Sequence, residues 1–338
     1  MRETVLVTGG SGYVAEWCVV ELLRQGYTVR TTVRSLAKEP QVRAQIGAAI
    51  DPGEQLRFFA ADLLDDAGWD AAVAGCDYVL HVASPLDAAG GPDALIAPAR
   101  DGALRVLRAS ARAGVRRVVM TSACAAASPT LYTDDSISDE SVWTDPNDTR
   151  ISAYRKSKTL AELAAWKYIE EEARGQTELS TILPGAVFGP VLSAAHIGTA
   201  QVIQRIMRGS ALGVPRIGFE VVDVRDLADI HIRAMTHPHA AGQRFIAVSE
   251  FMWMSEIAGE LRARLGDAAR GISTHTLPDI LIQLVARFDR DLLSITPALG
   301  RKNRHTAAKA RQLLGWQPRS ARETVIDCAQ SLIGWGQG

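Results

Sequence analysis

The chain has 338 residues, with 37 Lys and Arg against 38 Asp and Glu and a formal net charge of −1. That length suffices for one large α/β domain or a domain plus a smaller lobe, and the near-neutral balance gives no electrostatic case for nucleic acid or an anionic membrane surface. Cys18, Cys76, Cys124 and Cys328 lie far apart with no Cys-x-x-Cys pair, so neither a disulfide framework nor a metal site is expected, and a reducing cytoplasm fits.

Met1 leads directly into an apolar strand, with no charged-then-apolar leader and no stretch long enough to span a bilayer. A soluble, cytoplasmic protein without membrane contact is the expectation. The cationic run Arg301-Lys302-Asn303-Arg304-His305 reads as a solvated surface segment.

Val5, Leu6 and Val7 form a continuous apolar run, as in a strand buried on both faces of a parallel sheet. A glycine turn follows. Gly9 permits the tight exit, Gly12 lets backbone amides approach a phosphate, and Ala15 allows the next helix to pack closely. That helix, read over Glu16 to Gln25, aims its N-terminal amides at an anion. The lobe is therefore expected to hold a dinucleotide.

Tyr27 to Val33 is the second strand, and a helix-prone stretch follows at Gln41 to Ala49. Leu56 to Ala60 is strand three. Trp69 to Ala74 reads as helix, Tyr78 to Ala83 as strand four, and Asp93 to Ala113 as a long amphipathic helix. Arg117 to Thr121 is strand five, Tyr154 to Arg174 another long helix, and Leu179 to Leu183 strand six. This alternation predicts a doubly wound parallel α/β sheet. Residues 185–220 and 249–330 break the rhythm and read as a smaller substrate-binding lobe. Residues 1–184 form the dinucleotide-binding domain, and 221–248 return to it. Val221 to Val224 is read there as one more strand of the large sheet, with Arg225 to Met235 as its helix.

The second strand ends Thr31-Thr32-Val33-Arg34-Ser35, with Lys38 nearby. No carboxylate is offered to the ribose hydroxyls of NAD, whereas a guanidinium suits a 2′-phosphate. NADPH/NADP+ is the expected cofactor. Asp62, followed by Leu63, either accepts from an adenine amino group or caps a turn. The small residues of Val82-Ala83-Ser84 allow backbone beside the cofactor, and His81 reads as a buried structural histidine.

Tyr154 and Lys158 are four apart at the start of a helix and share one face. An ammonium beside the phenol is expected to lower its pKa from about 10 and fit it for acid–base work. In the second lobe Val191, Leu192, Ile203, Ile206, Met207 and Phe288 point either to a hydrophobic or aromatic substrate or to the lobe's own core.

The segments Thr8 to Tyr13, Tyr27 to Arg34, Gly75 to Pro85, Asp139 to Trp143, Tyr154 to Trp166 and Pro184 to Pro190 resemble the extended short-chain dehydrogenase/reductase superfamily. They are most similar to its dihydroflavonol-reductase-like branch, and the resemblance runs from about Thr4 to about Ser331. It implies a Rossmann fold and NADPH-dependent reduction of an aldehyde or ketone to an alcohol, with Tyr154 as proton donor and Lys158 as its helper and ribose anchor. Gly9, Ser11, Gly12, Tyr13 and Val14 would hold the pyrophosphate end, and Arg34 with Lys38 the 2′-phosphate. Asp62, Leu63, Val82, Ala83, Ser84 and Thr121 would line the cofactor's path. Pro184, Gly185, Ala186 and Val187 would line the nicotinamide. A helix-paired homodimer is compatible with the superfamily.

The chain departs from the pattern after strand five, where Thr-Ser-Ser is replaced by Thr121-Ser122-Ala123. The second serine polarises the substrate carbonyl, and alanine has no proton to donate. Ser122, as the nearest hydroxyl, is the expected substitute. Water, another hydroxyl, or a weakly catalytic NADPH-binding sensor are the alternatives. A nucleotide-sugar epimerase or dehydratase uses the same fold and tyrosine, but Arg34 and the lack of an obvious basic cluster in the second lobe oppose it.

Overall fold

The structure is a computed structural model describing residues 2–85, 93–130, 136–193, 197–209, 213–287, 296–302 and 304–336. Phe288 and Asn303 lie outside the described residues.

Seven strands form one parallel sheet. In chain order they are β1 (Thr4–Val7), β2 (Thr28–Val33), β3 (Leu56–Ala60), β4 (Tyr78–His81), β5 (Arg117–Thr121), β6 (Glu178–Pro184) and, much later, β9 (Gln243–Ala247). Their spatial order is β3-β2-β1-β4-β5-β6-β9. Order reverses beside β1, which pairs with both β2 and β4. Ligands of open parallel sheets bind beyond the strands' C-terminal ends at such a reversal.

Alternate residues of each strand face opposite layers. Val5, Val7, Leu80, Val119 and Ile182 join one core, shared with α1 (Tyr13–Arg24) and α7 (Val224–Thr236). Leu6, Val79, Val118 and Met120 join the other, shared with α3 (Trp69–Val73), α4 (Asp93–Arg112) and α5 (Ala153–Tyr168). Helix α2 (Glu39–Gly47) adds Val42 and Ile46 to the first layer. The doubly wound arrangement expected from the sequence is present.

Two local readings change. Helix α1 begins at Tyr13, directly after Gly12, so the glycine turn and the helix N-terminus are one unit. Helix α5 ends at Tyr168 and relaxes into a π-helical turn, Ile169–Ala173, before Arg174 at φ 46°.

The larger correction concerns Val221 to Val224. Val221 to Asp223 belong to β8 (Gly218–Asp223), which lies in a separate three-stranded sheet between β7 (Ala186–Phe188) and β10 (Phe251–Trp253), while Val224 already opens α7. β8 runs parallel to β7 and antiparallel to β10. Its helix α7 does return to pack on α1, and β9 takes the edge position in the large sheet. Val221 and Val222 are fully buried. The second sheet therefore covers its strand on both faces, and an apolar run alone carries no mark of which sheet it enters.

Among the described residues, no helix is long and apolar enough to cross a membrane.

Candidate active site at the C-terminal edge of the sheet

The glycine turn is fixed from several sides. Gly9 sits at φ +75°, a region L side chains rarely adopt, and a Cβ there would touch Ala83 at 3.0 Å. A Cβ on Gly10 would meet Thr31 Oγ1 at 2.2 Å, so this glycine too is required by packing. The Gly9 amide donates to Thr32 Oγ1 at 2.9 Å. Thr8 Oγ1 accepts from the Val82 and Ala83 amides at 3.1 and 3.0 Å. The ends of β1, β2 and β4 are thus tied together beneath the start of α1. No side chain caps that helix at Gly12, which leaves its first amides to an anion. Ser11, Gly12 and Val14 are only partly buried there. The Tyr13 hydroxyl is committed elsewhere, donating to Gly189 O at 2.7 Å.

Arg34 projects exposed from the end of β2, and among the described residues it has no hydrogen bond or ion pair. Lys38 is part-exposed on the same connection. Asp62 closes a turn, its Oδ1 accepting from the Leu64 amide at 3.0 Å. Leu63 packs against Gly102 of α4. Val82, Ala83 and Ser84 run partly exposed past the end of β4. The glycine turn, the exposed Arg34 at the end of β2 and the partly exposed backbone after β4 fit a dinucleotide carrying a 2′-phosphate.

Ser152 caps α5, accepting from the Arg155 amide at 3.3 Å. Arg155 in turn donates to Ser128 O at 2.9 Å and Pro129 O at 3.2 Å, fastening the helix start to the loop after β5. Tyr154 lies in this first turn with 39 % of its surface exposed. Lys158, one turn on, is buried. The Lys158 charge contributes, after burial itself, to holding His81 down to about 3, so the ammonium faces the end of β4. His81 is a neutral, buried partner of Thr8 Oγ1 at 3.0 Å.

The electrostatics differ from the sequence expectation. Burial, with the Cys124 thiol adding, pushes Tyr154 up to about 12, and Lys158 is not among the groups that shift it. Lys158 is itself brought down to about 8 by burial, against the opposing pull of Glu162. Desolvation, and not the ammonium, sets the direction of the phenol's shift. The phenol is held protonated at neutral pH, which suits a proton donor.

Ser122 also departs from expectation. Its hydroxyl donates to Glu162 Oε2 at 2.6 Å in the interior, so its single proton is committed there and is not available to a carbonyl. Thr121 Oγ1 pairs with His231 Nε2 at 2.7 Å. The Cys124 thiol donates to Leu183 O at 3.2 Å. Ala123 is buried with extended backbone.

Glu162 was not legible as a key residue. Fully buried, it accepts from Ser122, from Thr181 Oγ1 at 2.7 Å and from Arg244 Nε at 2.8 Å. Arg244 also holds Glu140 O at 2.7 Å and Val142 O at 2.9 Å, and lies under the Trp143 ring at 3.5 Å. One carboxylate thus joins β5, α5, β6 and β9. The Ala-Glu pair after Tyr-x-x-x-Lys was its only trace in the sequence.

Pro184 to Val187 is the crossover from β6 in the large sheet to β7 in the small one. Gly185 has no room for a side chain, because a Cβ would meet Glu220 O at 2.2 Å. Ala186 is partly buried and Val187 buried. Val191, Leu192, Ile203, Ile206 and Met207 are all buried in the same continuous core that α1 and α7 share with the large sheet. The cationic run is also corrected. Arg301, Lys302 and Arg304 are exposed, but His305 is buried against Glu220 and Ser128.

Residues 5–247 match the model of the NAD dependent epimerase/dehydratase family. The chain is 37 % identical over 269 residues to cinnamoyl-CoA reductase CAD2 of Medicago truncatula, covering 78 % of this chain and 81 % of that protein. It is 32 % identical over 342 residues to tetraketide alpha-pyrone reductase 1 of Arabidopsis thaliana, covering 98 % and 96 %. Among solved structures, Gre2 from Candida albicans in complex with NADPH superposes with a TM-score of 0.83 at 26 % identity, over 99 % of both chains. With the reversed sheet, the glycine turn and the Tyr154–Lys158 pair in place, the chain belongs to the NAD dependent epimerase/dehydratase family.

Proposed function

We propose that the protein is an NADPH-dependent reductase that converts the carbonyl of an aldehyde or ketone to an alcohol. The observation that carries this reading is the Tyr154–Lys158 pair. A phenol pushed up to about 12 and an ammonium brought down to about 8 occupy successive turns of α5 at the binding edge of the sheet. NADPH, when bound, supplies the hydride. Tyr154 keeps its proton at neutral pH and gives it to the carbonyl oxygen as that oxygen becomes an alkoxide. Lys158 anchors the nicotinamide ribose and restores charge balance beside the phenol. Arg34, with Lys38, takes the 2′-phosphate, and the amides after Gly12 take the pyrophosphate.

The residues after Pro184, apart from α7 and β9, form the lobe that covers the substrate and excludes water. An aromatic or conjugated carbonyl compound is the favoured substrate. The relatives' names, cinnamoyl-CoA reductase and tetraketide alpha-pyrone reductase, support that class, whereas the lobe's apolar residues are accounted for by burial in the protein's continuous core. Four buried, free thiols fit a reducing cytoplasm.

The test is cofactor oxidation against aromatic aldehydes, diketones and ketoesters, with NADPH and NADH in parallel. Consumption of NADPH with at least one class, at least about tenfold faster than NADH under the same conditions, is expected from the charge pairing at Arg34. A strong NADH preference, or protein purified with tightly held NAD, contradicts it and favours an epimerase or dehydratase.

A further inference from the structure

The fold brings together three potential metal ligands that the reductase reading does not use. Cys124 comes from the loop after β5, Glu220 from β8, and His305 from the segment before the helix Ala308–Leu314. One ligand atom from each (thiol sulfur, carboxylate oxygen, ring nitrogen) lies within 4.8 Å of the other two. Cys124 and His305 are buried, and the Glu220 side chain is 10 % exposed. We propose that Cys124, Glu220 and His305 form a binding site for Zn²⁺.

The donor set is one that zinc takes, with thiolate, imidazole and carboxylate at about 2.0–2.3 Å from the ion. Tetrahedral ligands at that radius stand roughly 3–4 Å apart, so the side chains need only small adjustments. The second layer is already built. His305 Nε2 lies 3.0 Å from Ser128 Oγ, and Ser128 Oγ donates to Cys124 O at 2.6 Å. Since the Ser128 proton is committed to that carbonyl, Nε2 is the donor to Ser128. The ring is thereby oriented with Nδ1 towards Glu220, as outer hydrogen bonds orient metal-bound histidines.

The charges also balance. Zn²⁺ replaces the Cys124 thiol proton and the proton shared by His305 Nδ1 and Glu220 Oε2, which leave as two protons. Thiolate, carboxylate, neutral imidazole and Zn²⁺ then sum to zero, as a buried cluster requires. Three protein ligands leave a fourth position for water.

The test uses the full-length protein, stripped with a chelator and then titrated with Zn²⁺ against a chromophoric competitor, and separately with Co²⁺. One equivalent of tightly held zinc is expected, together with a thiolate-to-cobalt charge-transfer band in the near ultraviolet. Cys124→Ala and His305→Ala should each weaken zinc binding at least about 100-fold, and Ser128→Ala by about 10–100-fold, as an outer partner does. Cys18→Ala, a buried thiol in α1, should leave binding unchanged. If a variant fails to fold, the cobalt spectrum of the unaltered protein decides alone. Absence of stoichiometric zinc, cobalt binding without the thiolate band, or affinity indifferent to Cys124→Ala would each overturn the proposal.

Discussion

Ala123 stands where the resemblance read from the sequence implies a serine, and it is open to a direct experiment. Its neighbours are committed, Ser122 to Glu162 and Cys124 to Leu183. Ala123→Ser should therefore add a donor where none is present. A well-placed hydroxyl of this kind is worth on the order of 2.7–4 kcal/mol in the transition state, so kcat/KM should rise by up to about 10²–10³-fold with NADPH affinity unchanged. An unchanged rate in a correctly folded variant would show that the carbonyl is already polarised by another group. Lys158 sets a pH limit at the same scale. Its lowered value of about 8 means that the ammonium is lost as pH rises through 8, and kcat should fall there. A rate that is flat from pH 7 to 10 would remove Lys158 from the reaction.

At the scale of elements, the Glu162–Arg244 pair joins α5 to the strands and to the segment carrying Glu140 and Val142. Removing one partner of a buried pair leaves the other uncompensated, at a cost of about 3–5 kcal/mol. Arg244→Met should lower stability by that amount in denaturant unfolding. The double change with Glu162→Gln should cost clearly less than the two single changes added, since the pair is coupled. Additive losses would mean that the two residues act separately. The sequence announced the elements around this pair but not the pair itself. Strands β1 to β6 were legible because each is a short apolar run bounded by turn residues, and the helices because of their period and terminal glycines. Glu162 and Arg244 carry no local signal, since their meaning lies in partners far along the chain. β8 was legible as a strand but assigned to the wrong sheet, because Val221 and Val222 are buried on both faces in either setting. His305, read within a cationic run, is buried through Glu220 and Ser128, which only the folded chain brings to it.

For the molecule as a whole, Glu16 links stability to pH. It is buried in the first turn of α1, its Oε1 has no partner among the described residues, and burial pushes it up to about 8. The folded state thus keeps a proton that the unfolded chain releases near its ordinary carboxyl value. The Glu16 contribution to stability is full below about pH 4.5 and falls as pH rises towards 8, at up to about 1.4 kcal/mol per pH unit. Glu16→Gln should flatten that slope and raise Tm at pH 8. An identical pH profile in the variant would mean that the carboxyl finds a partner.

Four features of the sequence marked the candidate site: the glycine turn, Arg34, the Tyr154–Lys158 spacing and Ala123. The sense of the Tyr154 shift was not legible, because burial is a property of the whole fold. The claim that gives these features their meaning is that Tyr154 donates the proton. Its most direct test is Tyr154→Phe, assayed for NADPH-dependent carbonyl reduction alongside NADPH binding by fluorescence. The account predicts a loss of turnover of about 10²–10⁴-fold with NADPH affinity nearly intact. Near-normal turnover in that variant would contradict it.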